Sequence, residues 1–166
     1  VQCAETITRV TSHEARLILE PYFEELQEEF VLAGLERVQD TKLRCSSSMH
    51  DSSRHFAGCL EDGRIIYAAP ELVEMPPETV LGILAHELGH AADFLYPGEF
   101  VLRGDHVIAE EPDRHRLRGW KRRQNDTVEV TADLIAEWVL GTSIGYRGPC
   151  LLQTLGTLGP RPKGLR

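Results

Sequence analysis

The sequence predicts an α+β domain with a helix at its start, short strands in its middle and two helices after them. Three observations carry this. A run opening at Thr11 repeats apolar residues every four positions. The stretch 35–73 breaks into short strand-like runs separated by turn residues. Two further runs, 76–95 and 128–140, return to helical spacing. At 166 residues the chain is read as a single domain, 1–166, with an irregular tail from about 145 to 166.

The first helix opens on Thr11-Ser12-His13-Glu14, the pattern of a capping box. Ile18, Tyr22, Leu26 and Phe30 form its expected apolar stripe, with Glu24, Glu25, Glu28 and Glu29 facing water. Pro21 is expected to kink or restart it, and Gly34 to end it. Residues 1–10 suit an extended arm. Thr41 to Cys45, Phe56 to Leu60 and Arg64 to Ala68 are the expected strands, and Glu61-Asp62-Gly63 joins the last two as a hairpin. Pro70 places the end of the third strand at a sheet edge. The sheet is therefore expected to be short and mixed or antiparallel, backed by the N-terminal helix. Pro77 suits the first turn of the next helix. Asp126 or Thr127 caps the last, and Gly141 stops it. The stretch 99–127 is charged and without a clear period.

Composition excludes several functions. Hydrophobic residues make up 42% and charged residues 27%, ordinary for a globular chain. A net charge of -8 argues against a nucleic-acid binder held by a broad basic surface. The basic cluster from Arg114 to Arg123 reads as a solvated segment. No apolar run reaches the roughly 20 residues of a membrane span. The chain opens on Val1, so a mature or excised form is expected, from which any signal peptide is gone. Four cysteines show no metal-binding spacing. The even count favours bridges Cys45–Cys59 and Cys3–Cys150, and with them a secreted, periplasmic or other oxidising compartment.

The chemistry sits in His86-Glu87-Leu88-Gly89-His90, an HExxH motif inside an apolar helical run. Residues four apart share a helix face, so His86 and His90 can offer two imidazoles to one metal ion. Glu87 stands beside them as the candidate catalytic base. Burying these groups without a partner would be costly, and a metal satisfies them. A catalytic zinc takes three protein ligands. Glu129 is the first candidate for the third, with Asp133 on the same helix face to support a histidine. Asp133 could instead be the ligand. Asp93 lies on the motif's own face, about 10 Å along the axis from His86, and is read as a supporting or ion-pairing residue.

The motif together with Glu129-xxx-Asp133 resembles the gluzincin clan of zinc metallopeptidases, and the small size is similar to the minigluzincins. The resemblance covers roughly 65–141. It implies a zincin-like domain holding one Zn2+ through His86, His90 and Glu129, with Glu87 as general base and Asp133 orienting a ligand histidine. It implies hydrolysis of a peptide or protein substrate. It also implies an edge strand at Ile66 to Leu72 that binds substrate backbone by strand addition, through Tyr67, Ala68 and Ala69. His106, His115, Tyr96 and Tyr146 are candidates to stabilise the oxyanion. Metzincins fit less well: Asp93 stands where they have glycine, and Met49 and Met75 precede the motif. Aspzincin-like enzymes use a downstream Asp, and the spacing of His90 and Asp93 is also similar to that of small mitochondrial inner-membrane proteases. No nucleic acid or membrane span is expected, and the expected state is a monomer. The rival reading is a non-catalytic or latent zinc-binding regulatory or interaction module, similar to ImmA-like proteins. In a latent form residues 1–10 or the tail after Gly145 would fill the cleft.

Overall fold

The computed structural model describes residues 9–47, 56–60, 62–97, 99–100 and 120–141. They form three helices and a three-stranded mixed sheet, the α+β arrangement expected. The expectations for Cys3, Cys150, His106, His115, Tyr146, the N-terminal arm up to residue 8, the polar loop beyond Ser47 and the C-terminal tail lie outside the described residues.

Helix α1 spans Ser12–Leu32. The Glu14 backbone N–H donates to Thr11 Oγ1 at 3.2 Å, and the Thr11 N–H donates to Glu14 Oε2 at 2.9 Å. Two end donors are thus satisfied reciprocally. The helix runs through Pro21 without a break, because the buried residues on both sides of it keep one continuous packing face. That face differs from the expected stripe. Ala15, Leu19, Phe23, Leu26 and Phe30 are buried, whereas Ile18 is 48% exposed. Gln27 then ties α1 to the 3-10 turn Glu36–Asp40, its Nε2 donating to the carbonyls of Val38 at 2.7 Å and Thr41 at 2.9 Å.

The strands are β1 (Lys42–Cys45), β2 (Ala57–Cys59) and β3 (Ile65–Ala68). Their order is β1-β3-β2, with β1 parallel and β2 antiparallel to β3. Gly63 adopts a φ of 70° in the β2–β3 turn, a conformation that favours glycine. A Cβ there would also lie 2.7 Å from the Ala91 carbonyl, so the turn is pressed against the next helix.

Two expectations are corrected by this topology. β3 is the central strand, paired on both sides, so Tyr67, Ala68 and Ala69 do not form an open edge. Ala68 and Ala69 are fully buried, and Pro70 starts a 3-10 turn, Pro70–Glu74, rather than closing an edge strand. Cys45 and Cys59 lie on the two outer strands with β3 between them. Two strand spacings come to about 9.5 Å, beyond the roughly 7 Å that a disulfide can span. Both are free thiols. Burial pushes Cys45 up to about 11, and burial aided by the Glu87 and Asp62 carboxylates pushes Cys59 up to about 12. One of the two bridges behind the expectation of an oxidising compartment is therefore absent.

Helix α2, Pro77–Leu95, is the centre of the molecule. Every residue from Gly82 to Ala92 is buried. Val80, Leu84, Leu88 and Ala91 join α1 and the sheet in one apolar cluster with Leu19, Phe30 and Ile66. Its C-terminal end is held by Arg37, whose Nη1 donates to the Leu95 carbonyl at 2.8 Å and whose guanidinium lies over the Tyr96 ring. A cation there suits the negative end of the helix dipole.

Helix α3, Trp120–Leu140, packs along the other side of α2. It begins at Trp120, not at Val128, so the expected cap at Asp126 or Thr127 lies inside a helix. Gly141, at a φ of 66°, ends it as expected, its N–H donating to the Glu137 carbonyl at 2.8 Å.

Candidate metal centre

The site is built where α2 and α3 touch. Helical spacing puts His86 and His90 on one face of α2, and Glu129 and Asp133 on one face of α3. The two faces meet because Gly89 has no side chain. A Cβ on Gly89 would lie 2.2 Å from the Ala132 carbonyl oxygen, so here backbone packs on backbone. Gly89 stands between the two histidines in the chain, and Ala132 between the two acids. That contact fixes the distance between the four groups.

His86 Nε2 lies 2.8 Å from Glu129 Oε2, His90 Nε2 lies 3.2 Å from Glu129 Oε1, and the two Nε2 atoms are 3.0 Å apart. Three donor atoms from His86, His90 and Glu129 thus converge, forming a group able to hold a metal ion. Donors around a tetrahedral zinc with bonds near 2.05 Å sit about 3.3 Å apart. The observed separations need to open by only a few tenths of an ångström. Two imidazoles and a carboxylate are also a donor set that zinc accepts.

Behind the donors stands a support. His86 Nδ1 donates to Asp133 Oδ1 at 2.6 Å. This bond fixes the ring and leaves Nε2 pointing at the convergence point. His86 is 2% exposed and Asp133 6%. Burial alone would push the His86 pKa down. Its hydrogen bonds to Asp133 and Glu129, and the charges of Asp133 and Glu87, reverse this and raise it to about 9. For Glu129, desolvation acts upward, but hydrogen bonds from His86 and His90 and their charges pull its carboxyl well below the ordinary range. The metal-free site is thus an ion cluster of His86 with the Glu129 and Asp133 carboxylates.

The three acidic candidates are now separated. Glu129 faces both Nε2 atoms, Asp133 holds His86 from behind, and Asp93 is not among the converging donors. Glu87 is buried on α2 next to His86. Tyr96 lies at the C-terminal end of α2, where its hydroxyl accepts from the Arg37 backbone N–H at 3.0 Å.

Two residues of this region escape a reading of the sequence alone. Gly89 was legible in principle, since a glycine inside a buried helix is unfavourable and calls for a packing reason. Glu137 continues the line of Glu129 and Asp133 at the same spacing of four and is 3% exposed, an acid engaged inside the fold. Comparisons with protein-family models, curated proteins and solved structures return no match, so function is read from the site alone.

Proposed function

We propose that the chain is a zinc-dependent endopeptidase of the gluzincin type, with zinc held by His86, His90 and Glu129. The observation that carries this is the convergence of those three side chains, with Asp133 behind His86 and Glu87 beside it in the chain. A zinc ion bound there would polarise a water molecule and the scissile carbonyl. Glu87, beside His86 in the chain, would serve as the general base toward the attacking water and the general acid toward the leaving amine. Asp133 keeps His86 in the tautomer whose Nε2 lone pair faces the donors. Burial of the cluster makes each of these interactions stronger than it would be in water.

The substrate edge moves from β3 to β2. In the β2–β3 ladder the Leu60 N–H donates to the Ile65 carbonyl, and the Ala69 N–H donates to the Phe56 carbonyl. Antiparallel pairs alternate, so the backbone groups of Ala57 and Cys59 point away from β3. β2 also packs against α2, the helix that carries the motif. A peptide lying along β2 would find these groups as partners.

The test is hydrolysis of an unfolded protein by the zinc-loaded chain, beside Glu87→Gln. We expect the variant to keep its zinc and lose about 100- to 10,000-fold in kcat. A variant that cleaves at the parent rate would refute the mechanism. The free thiols of Cys45 and Cys59 favour the second reading, a zinc-holding regulatory module, which predicts zinc binding with no cleavage by the parent.

A further inference from the structure

The two ligand histidines are not supported alike. His86 has Asp133 behind it, but His90 Nδ1 is buried with no hydrogen-bond partner among the described residues. The His90 ring cannot turn freely to find one. It stacks on Phe94, with centroids 6.3 Å apart and planes at 18°, and meets His86 edge to face at 4.5 Å. When Nε2 gives its lone pair to a metal, the neutral ring carries its one proton on Nδ1. That N–H is then a buried donor in need of an acceptor.

A carboxylate stands one turn further along α2. Asp93 follows His90 by three residues in α2, and side chains on a helix lean toward its N-terminus, over the preceding turn. Asp93 is half-buried. Desolvation raises its carboxyl above the ordinary value, and the charge of His90 is what pulls it back.

We propose that Asp93 is the positioning residue for His90, its carboxylate accepting the Nδ1 hydrogen bond in the zinc-loaded protein as Asp133 does for His86. The inference rests on the reading that zinc binds His90 through Nε2, and it adds a support on α2 to the one on α3. Each ligand histidine is then held by a carboxylate, one from its own helix and one from its neighbour.

The experiment measures zinc affinity by competition with a chelator for the full chain and for Asp93→Ala and Asp93→Asn. It also records the histidine N–H NMR signals of the zinc-loaded proteins. Asp93→Ala should weaken zinc about 10- to 100-fold. Asp93→Asn should lose less, because its amide oxygen still accepts. The parent should show an exchange-protected His90 Nδ1–H signal that Asp93→Ala lacks. Zinc affinity within twofold of the parent, or an unchanged Nδ1–H signal, would overturn the proposal. Should Asp93→Ala fail to fold, Asp93→Asn decides by the same signal, which must shift. A parent that binds no zinc sinks the zinc reading and this inference together; a parent that binds zinc while the Asp93 variants match it sinks this inference alone.

Discussion

Helix α2 has two neighbours, and they treat it differently. Toward α1 and the sheet it presents Val80, Leu84, Leu88 and Ala91 to large apolar partners such as Leu19, Phe30 and Ile66. Toward α3 it presents two histidines, with Thr131, Asp133 and Glu137 buried on the facing helix. The first side gains free energy from burial. The second buries charged and polar groups, which is costly unless each is paired. The difference teaches that apolar burial holds α2 against α1 and the sheet, while toward α3 the polar groups sit beside the close backbone approach at Gly89 and the apolar contacts of Ile135 and Ala136.

The sharpest way to break this division is to damage one side and read the other. Phe30→Ala empties part of the apolar side and should cost about 3–5 kcal/mol of stability. Zinc affinity of the molecules that remain folded should stay within about twofold of the parent. Denaturant unfolding and chelator competition measure the two quantities separately. If zinc affinity falls in step with stability, the two sides are one unit.

Gly89→Ala attacks the other side. The added methyl meets backbone, which cannot swing aside as a side chain would. The helices must part, carrying Glu129 and Asp133 away from His86 and His90. We expect a zinc-affinity loss of at least about 100-fold, the upper end for loss of one supporting residue. A variant binding zinc like the parent would show that the Gly89–Ala132 contact does not set the site.

A pH series sharpens the comparison further, because the polar side alone titrates. In the metal-free protein the His86 pKa is raised from 6.5 to about 9. Its contribution to stability is complete below 6.5 and is lost as pH rises through about 9. Glu129 is depressed from 4.5, so its contribution is present above 4.5 and is lost as pH falls through its folded value. The metal-free cluster should therefore be most stabilising between 4.5 and 6.5. Zinc reverses the alkaline limb, because binding displaces a ring proton and tightens as pH rises toward 9. Thermal unfolding with and without zinc reads both limbs. A metal-free protein that gains stability from pH 6.5 to 9 through His86 would contradict the ion-cluster account.

Much of the apolar side was legible in the sequence, though not its register. Leu17, Ile18 and Leu19 adjoin, as do Tyr22 and Phe23, so two stripes fit the same period. Only packing against Leu84 and Ile66 selects Leu19 and Phe23. Strand order was hidden for a similar reason: nothing local to Ile65–Ala68 records that β1 pairs on its far side. The site was more legible, because its groups obey the four-residue spacing of a helix wherever that helix begins. Glu129 and Asp133 kept their relation although α3 starts at Trp120. Gly89 inside a buried helix signals a packing reason, but not which one, since the clash it avoids is with Ala132 on another helix.

The account stands most directly on the coordination of zinc in the loaded protein, measured by crystallography or X-ray absorption. It predicts Nε2 of His86, Nε2 of His90 and a carboxylate oxygen of Glu129 at about 2.0–2.2 Å, with Asp133 bonded to His86 and not to the metal. Zinc bound through Asp93, Asp133 or the Cys59 sulfur in place of Glu129, or no zinc at this cluster, would contradict it.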